Sequence, residues 1–148
     1  MQRNNVRRLG VTLLIVIVLG VIALQFIDKR GAATKEEVID QYILAIQQEK
    51  PEQIVKLLPR SHQISQAELT HLIVDSGGSA LATTQISAIP SESPLVDIVK
   101  LVGTYKENGK SIQFTHMLYL QKMNNRWYLI LGHDQNGLPI DAPSSKIK

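Results

Sequence analysis

The chain has 148 residues, 44% of them hydrophobic and 20% charged, with 16 Lys and Arg against 13 Asp and Glu. That is one domain's worth of ordinary globular composition, and the lack of any segment dominated by one residue type excludes collagen-like, mucin-like and wholly disordered readings. The absence of cysteine excludes a disulfide scaffold, a thiol nucleophile, a Cys-ligated metal and a lipoprotein anchor.

In chain order, residues 1–8 form a basic start with Arg3, Arg7 and Arg8, and Leu9 to Ile27 then run for 19 residues without a charge. As a helix this run is about 28 Å long, close to the thickness of a bilayer's hydrocarbon core, so a transmembrane signal anchor in contact with lipid is predicted over 9–27. Val11, Ile15, Val16 and Val18 are poor helix formers in water, but lipid leaves the backbone no other partner than itself. The arginines before the span outweigh the mixed Asp28, Lys29 and Arg30 after it, which places the N-terminus in the cytoplasm. The remainder is then expected in a periplasm, cell-wall space or lumen. A cleaved signal peptide is the alternative, though its apolar stretch is usually only about 7–15 residues long.

Five of the 16 basic residues (Arg3, Arg7, Arg8, Lys29, Arg30) and one of the 13 acidic ones (Asp28) flank this span, leaving 11 basic against 12 acidic from Gly31 onward, a net of −1. A nearly neutral domain with no basic stripe is not expected to bind nucleic acid.

Residues 28–34 read as a linker, and Thr34 with Glu37 makes a capping box that opens a helix from Lys35 to about Glu49. Val38, Ile39, Tyr42, Ile43, Ala45 and Ile46 form its apolar stripe. Pro51 starts a second short helix ending near Leu58, and Ser65 with Glu68 caps a third that Gly77 and Gly78 close. From Leu81 the period changes to alternation. Strands are predicted over Thr83 to Ile89, Leu95 to Lys106, Ser111 to Lys122 and Arg126 to Leu131. The Pro90 to Pro94 loop, an Asn108-Gly109 hairpin and an Asn124-Asn125 turn lie between them. Residues 133–148 read as a flexible C-terminal tail. The expected class is therefore α+β, with a transmembrane helix followed by three helices packed on a curved antiparallel sheet of about four strands.

The order of these elements resembles the nuclear transport factor 2-like superfamily of cone-shaped α+β domains, in particular its small membrane-anchored bacterial members. The likeness rests on the helix pair from Val38 to Leu58, the hairpin Tyr105-Lys106-Glu107-Asn108-Gly109-Lys110 and the segment Asn125 to Ile130, and spans about residues 35–132. It implies a pocket between sheet and helices, which in the enzymes of that superfamily holds an acid or base. The early strand of the larger members has no counterpart here.

Three side chains are candidates for such a site. His116 falls at an inward position between Phe114 and Leu118, where burial lowers an imidazole's pKa; the competing reading is a core histidine bonded to its neighbours. Asp97 shares a strand face with Val99 and Leu101 while Lys100 shares the other, so one of the two is pushed toward the sheet interior. Tyr42 is a phenol donor in a helical stripe, where packing is the commoner role. No cofactor or metal is expected: His62, His71, His116 and His133 make no helical ligand pair, and no nucleotide-binding or hydrolase motif occurs. Ser76-Gly77-Gly78-Ser79 reads as a helix stop rather than a phosphate cradle.

With a fold but no catalytic set, the leading expectation is a membrane-anchored extracytoplasmic binding or scaffold module, an accessory subunit or assembly factor of a membrane complex. Its binding surface is expected on the outer sheet face at Gln113, Thr115, Met117, Tyr119 and Gln121. One alternative is a small-molecule pocket protein or isomerase/cyclase-like enzyme using His116. Another is a bitopic component of a secretion or conjugation apparatus.

Overall fold

A computed structural model describes residues 30–90, 94–133, 139–140 and 145–147. The expected span at 9–27 and the basic start at 1–8 lie outside the described residues, as does the centre of the Pro90 to Pro94 loop. Among the described residues no helix is long and apolar enough to cross a membrane.

Three helices precede an antiparallel meander, so the α+β layout holds. They are α1 (Lys35–Gln47), α2 (Pro51–Leu57) and α3 (Gln66–Asp75), followed by a 3-10 turn at Gly78–Ala80. Thr34 caps α1 by accepting the Glu37 N–H, while the Glu37 carboxylate takes the N–H of Ala33. The Ser65 and Glu68 capping box on α3 is complete in both directions. Helix α1 ends two residues earlier than its apolar period suggests, because Glu49 adopts a left-handed φ of 54° and turns the chain into Pro51. The Glu49 carboxylate then accepts both the N–H and the hydroxyl of Ser79, which holds its pKa below the ordinary range and fills the cradle at the glycine pair with the chain's own anion.

Strands β1 (Leu81–Ile89), β2 (Val96–Glu107), β3 (Lys110–Met123) and β4 (Arg126–Ile130) follow in spatial order. Asn108 and Gly109 have φ of 50° and 77°, and Asn124 and Asn125 have 49° and 63°. Positive φ at both central residues is the two-residue hairpin turn whose twist matches the strands, and asparagine and glycine reach it at little strain. Beyond β4, the backbone at β5 (Gly132–His133) pairs with β6 (Pro139–Ile140), and β7 (Ser145–Ile147) adds to β3 at Gln113 to Thr115.

The helices cover one face of the sheet. Val38, Tyr42, Ala45 and Ile46 of α1, Ile54 and Leu57 of α2 and Leu69 and Ile73 of α3 pack on Leu101, Phe114, Leu118, Leu120 and Leu129. The expected linker residues Gly31 to Ala33 are fastened to this body: Ala32 exchanges backbone hydrogen bonds with Trp127, and the Arg126 guanidinium donates to the carbonyls of Arg30 and Gly31 at 2.7 and 2.6 Å. The chain therefore enters the domain along the edge of β4.

Gly103 sits directly opposite Phe114, and a Cβ there would lie 2.2 Å from the phenyl ring, so the ring occupies the space a side chain would need. Gly103→Ala is expected to destabilise the domain by about 1–3 kcal/mol in urea unfolding. Adding Phe114→Leu should return part of that loss, with the double variant more stable than the sum of the single ones implies. Strict additivity would show that the ring does not set the glycine requirement.

Candidate functional site

Alternation along β3 turns Phe114, His116 and Leu118 toward the helices, and the turn of α1 carrying Tyr42 lies over them. His116 is 5% exposed and Tyr42 is 1% exposed, so both polar ends must be satisfied within the protein. The Tyr42 hydroxyl lies 3.0 Å from His116 Nδ1, and Ser76 Oγ, at the C-cap of α3, lies 3.5 Å from Nε2. Ser76 donates its single hydroxyl proton to the Leu72 carbonyl at 2.6 Å, so toward the imidazole it can only accept. That fixes the proton order. Tyr42 O–H donates to Nδ1, Nε2–H donates to Ser76, and Ser76 donates to the last turn of α3.

This order belongs to a neutral imidazole, since a proton on Nδ1 would make the Tyr42 oxygen the acceptor and take from the buried Tyr42 proton the acceptor it has in Nδ1. Burial pushes the pKa of His116 down to about 4, with nearby Asp75 opposing the shift more weakly, and burial raises that of Tyr42 above its ordinary value. At neutral pH the pair is thus a weak base bonded to a weak acid, whereas proton transfer is fastest from groups with pKa near the working pH. The chain of bonds joins α1, β3 and the end of α3. The Phe114 ring packs against the imidazole at 4.7 Å between centroids.

A cleft of about 290 Å³ opens beside this group, with His116 and Tyr42 on its floor, Leu72 and Leu131 in its walls and His71 and Asp75 at its α3 side. A larger cleft of about 500 Å³ lies between α3 and the end of β2, near Glu49, Ile73 and Tyr105. No group of three metal-ligating side chains occurs among the described residues.

The structure brings Tyr42 and His116 together but not Asp97. Asp97 opposes Leu120, four positions along β3 from His116 and about 13 Å away at the rise of a strand. Its carboxylate accepts from Lys35 Nζ at 2.7 Å, an ion pair with side chains 41% and 31% exposed that fastens the start of α1 to the start of β2. The bond raises the pKa of Lys35 above its ordinary value. Lys100 points outward and is exposed. Of the expected outer-face positions, Gln113 is exposed and Thr115, Met117, Tyr119 and Gln121 are half-buried. Ser76 was not singled out from sequence as a partner; its one signal is its place just before the glycine pair that stops α3.

Because the unfolded chain binds a proton on His116 near pH 6.5 and the folded chain only near pH 4, stability contributed by the neutral ring is full above pH 6.5 and falls as pH drops toward 4. The loss is about 3 kcal/mol across that window. Thermal melts should show it, and His116→Gln should flatten it. Tyr42→Phe, which strips the donor from Nδ1, is expected to cost about 1–3 kcal/mol and to move the imidazole titration upward, readable by NMR.

Compared with protein-family models, curated proteins and solved structures, the chain has no match.

Proposed function

We propose that this protein is a membrane-tethered, extracytoplasmic docking module, an accessory subunit or assembly factor of a membrane complex, and that its outward sheet face is the docking surface. One observation carries the reading. Register places Ile89, Ile98, Tyr119 and Ile130 side by side on adjacent strands, an apolar row that crosses all four strands on the face opposite the helices. All four side chains are half-buried, and Met117 lies on the same face. A hydrophobic row on a solvent-facing sheet is the kind of surface that marks a protein partner. The charge-free run at 9–27 supports the tether and the arginines before it support the orientation, with the domain held at the membrane surface at high effective concentration for neighbours there. The helices-then-meander order agrees with the nuclear transport factor 2-like resemblance, which we keep as the reading of the fold family.

A second reading, a small-molecule pocket protein or isomerase/cyclase-like enzyme, has in its favour the 290 Å³ cleft with His116 and Tyr42 on its floor. The engagement of both ring nitrogens speaks for a structural role of that pair.

The test is purification of the tagged full chain from its native membranes in mild detergent, alongside Tyr119→Ala and Ile130→Ala variants. The docking reading expects membrane subunits in near-fixed ratio with the native chain and at least a tenfold loss with each variant, matching a contribution of about 1.4 kcal/mol or more per anchor residue. Unchanged recovery with the variants would overturn the assignment of this face. A chain that purifies alone, with its melting temperature raised by a small ligand, would favour the cleft.

A further inference from the structure

The sheet has one long edge that is both open and uncharged. Strand β1 hydrogen-bonds to β2 on one side, and among the described residues no strand pairs its other side. Its inward-facing Ile86 is 49% exposed, and Thr83, Gln85, Ser87 and Ala88 are exposed as well, so the helices that cover β2 to β4 reach β1 at its start, at Leu81, and leave the stretch from Thr83 to Ala88 uncovered. From Ser76 to Ile89 the sequence carries no charge. Native proteins usually block such an edge with lysine, proline or a bulge. Here a bulge between Leu81 and Thr83 and Pro90 after the strand stand at the two ends, and the seven residues from Thr83 to Ile89 between them have neither device.

We infer that two copies of this chain pair antiparallel through β1, with the two-fold axis at Gln85, to make one continuous sheet. The occupant follows from the strand's own symmetry. Counting outward from Gln85, Thr84 stands against Ile86 and Thr83 against Ser87, with Ala82 and Ala88 next in sequence where the bulge begins, so the regular part of the strand reads almost the same in both directions. An isologous contact requires that kind of self-complementarity, because residue i meets residue j and j meets i. Charge agrees: an uncharged strand meets its own copy without the like-charge repulsion that a strand carrying lysine or glutamate would suffer. Each Ile86 gains the methyl of a Thr84 beside it on the helix-side face, and the two Gln85 amides can donate to and accept from each other across the axis. This dimer uses the edge of the sheet and leaves its outward face open, so it does not rest on the docking reading above.

The native chain has no cysteine, which makes single substitutions clean reporters. In the full chain purified in mild detergent, Gln85→Cys places two thiols directly opposite one another, with Cβ atoms about 4.5–5.5 Å apart, near disulfide range. Mild oxidation is expected to give covalent dimer at least tenfold above Gln113→Cys, an exposed position on β3. Thr83→Cys and Ser87→Cys should each cross-link poorly alone, because each lies four residues from its own copy, and strongly when the two variants are mixed. Adding Gln85→Lys to that mixture puts like charges on the axis and should lower the dimer at least about tenfold while the melting temperature stays unchanged. The inference fails if Gln85→Cys dimerises no better than Gln113→Cys. It fails equally if Thr83→Cys alone matches the mixture, or if Gln85→Lys leaves the dimer intact.

Discussion

The buried imidazole of His116 is the constraint on which the packing of this domain turns. A polar ring placed between a sheet and its helices must find a partner for each nitrogen or cost the fold the full price of desolvation. Tyr42 and Ser76 answer that requirement from two different helices, and so the alignment of α1 and α3 on β3 is specified by hydrogen-bond geometry as well as by hydrophobic volume. An all-leucine core would bury comparable surface but tolerate sliding of α1 along the sheet. The Tyr42 hydroxyl permits only one height.

Other features follow from holding the helices at that height. Phe114 packs tilted against the imidazole and occupies the space above Gly103, so the glycine on β2 is a consequence of the ring on β3. Gly77 turns α3 away at φ 86°, directly beneath the Tyr105 ring, where a Cβ would lie 2.4 Å from ring carbon. Ser76 precedes it and reaches back to the imidazole. The entry segment is fixed at the opposite side by Arg126 and Trp127, which sets where any upstream anchor leaves the body of the domain. The polar group between sheet and helices thus holds elements in place, while among the described residues the outward sheet face carries the half-buried apolar row and β1 presents an unpaired edge.

Much of this was legible in the sequence wherever the determinant is local. Caps at Thr34 and Ser65, the Asn108-Gly109 and Asn124-Asn125 turns and the alternation that turns His116 inward each depend on a few neighbouring residues, and they appear within one or two positions of the expected boundaries. What escaped is non-local. The Tyr42 to His116 bond spans 74 residues, and although both side chains were candidates, only the height of α1 over the sheet shows that they meet. The Asp97 to Lys35 ion pair spans 62 and separates Asp97 from the other two. The exposure of β1 was also hidden, because a strand that pairs on one side only and one buried in a sheet share the same β-branched pattern, and which one forms depends on how far the helices extend.

The most direct test is the protonation state of one ring, followed by nitrogen-15 NMR of the histidine side chains across pH. The account predicts that His116 stays neutral with its proton on Nε2 from pH 7 down to about 4, where burial places its pKa. Titration near the ordinary histidine value, or a proton on Nδ1 at pH 7, would contradict the hydrogen-bond order from Tyr42 through His116 to Ser76 and with it the claim that this chain of bonds aligns the helices on the sheet.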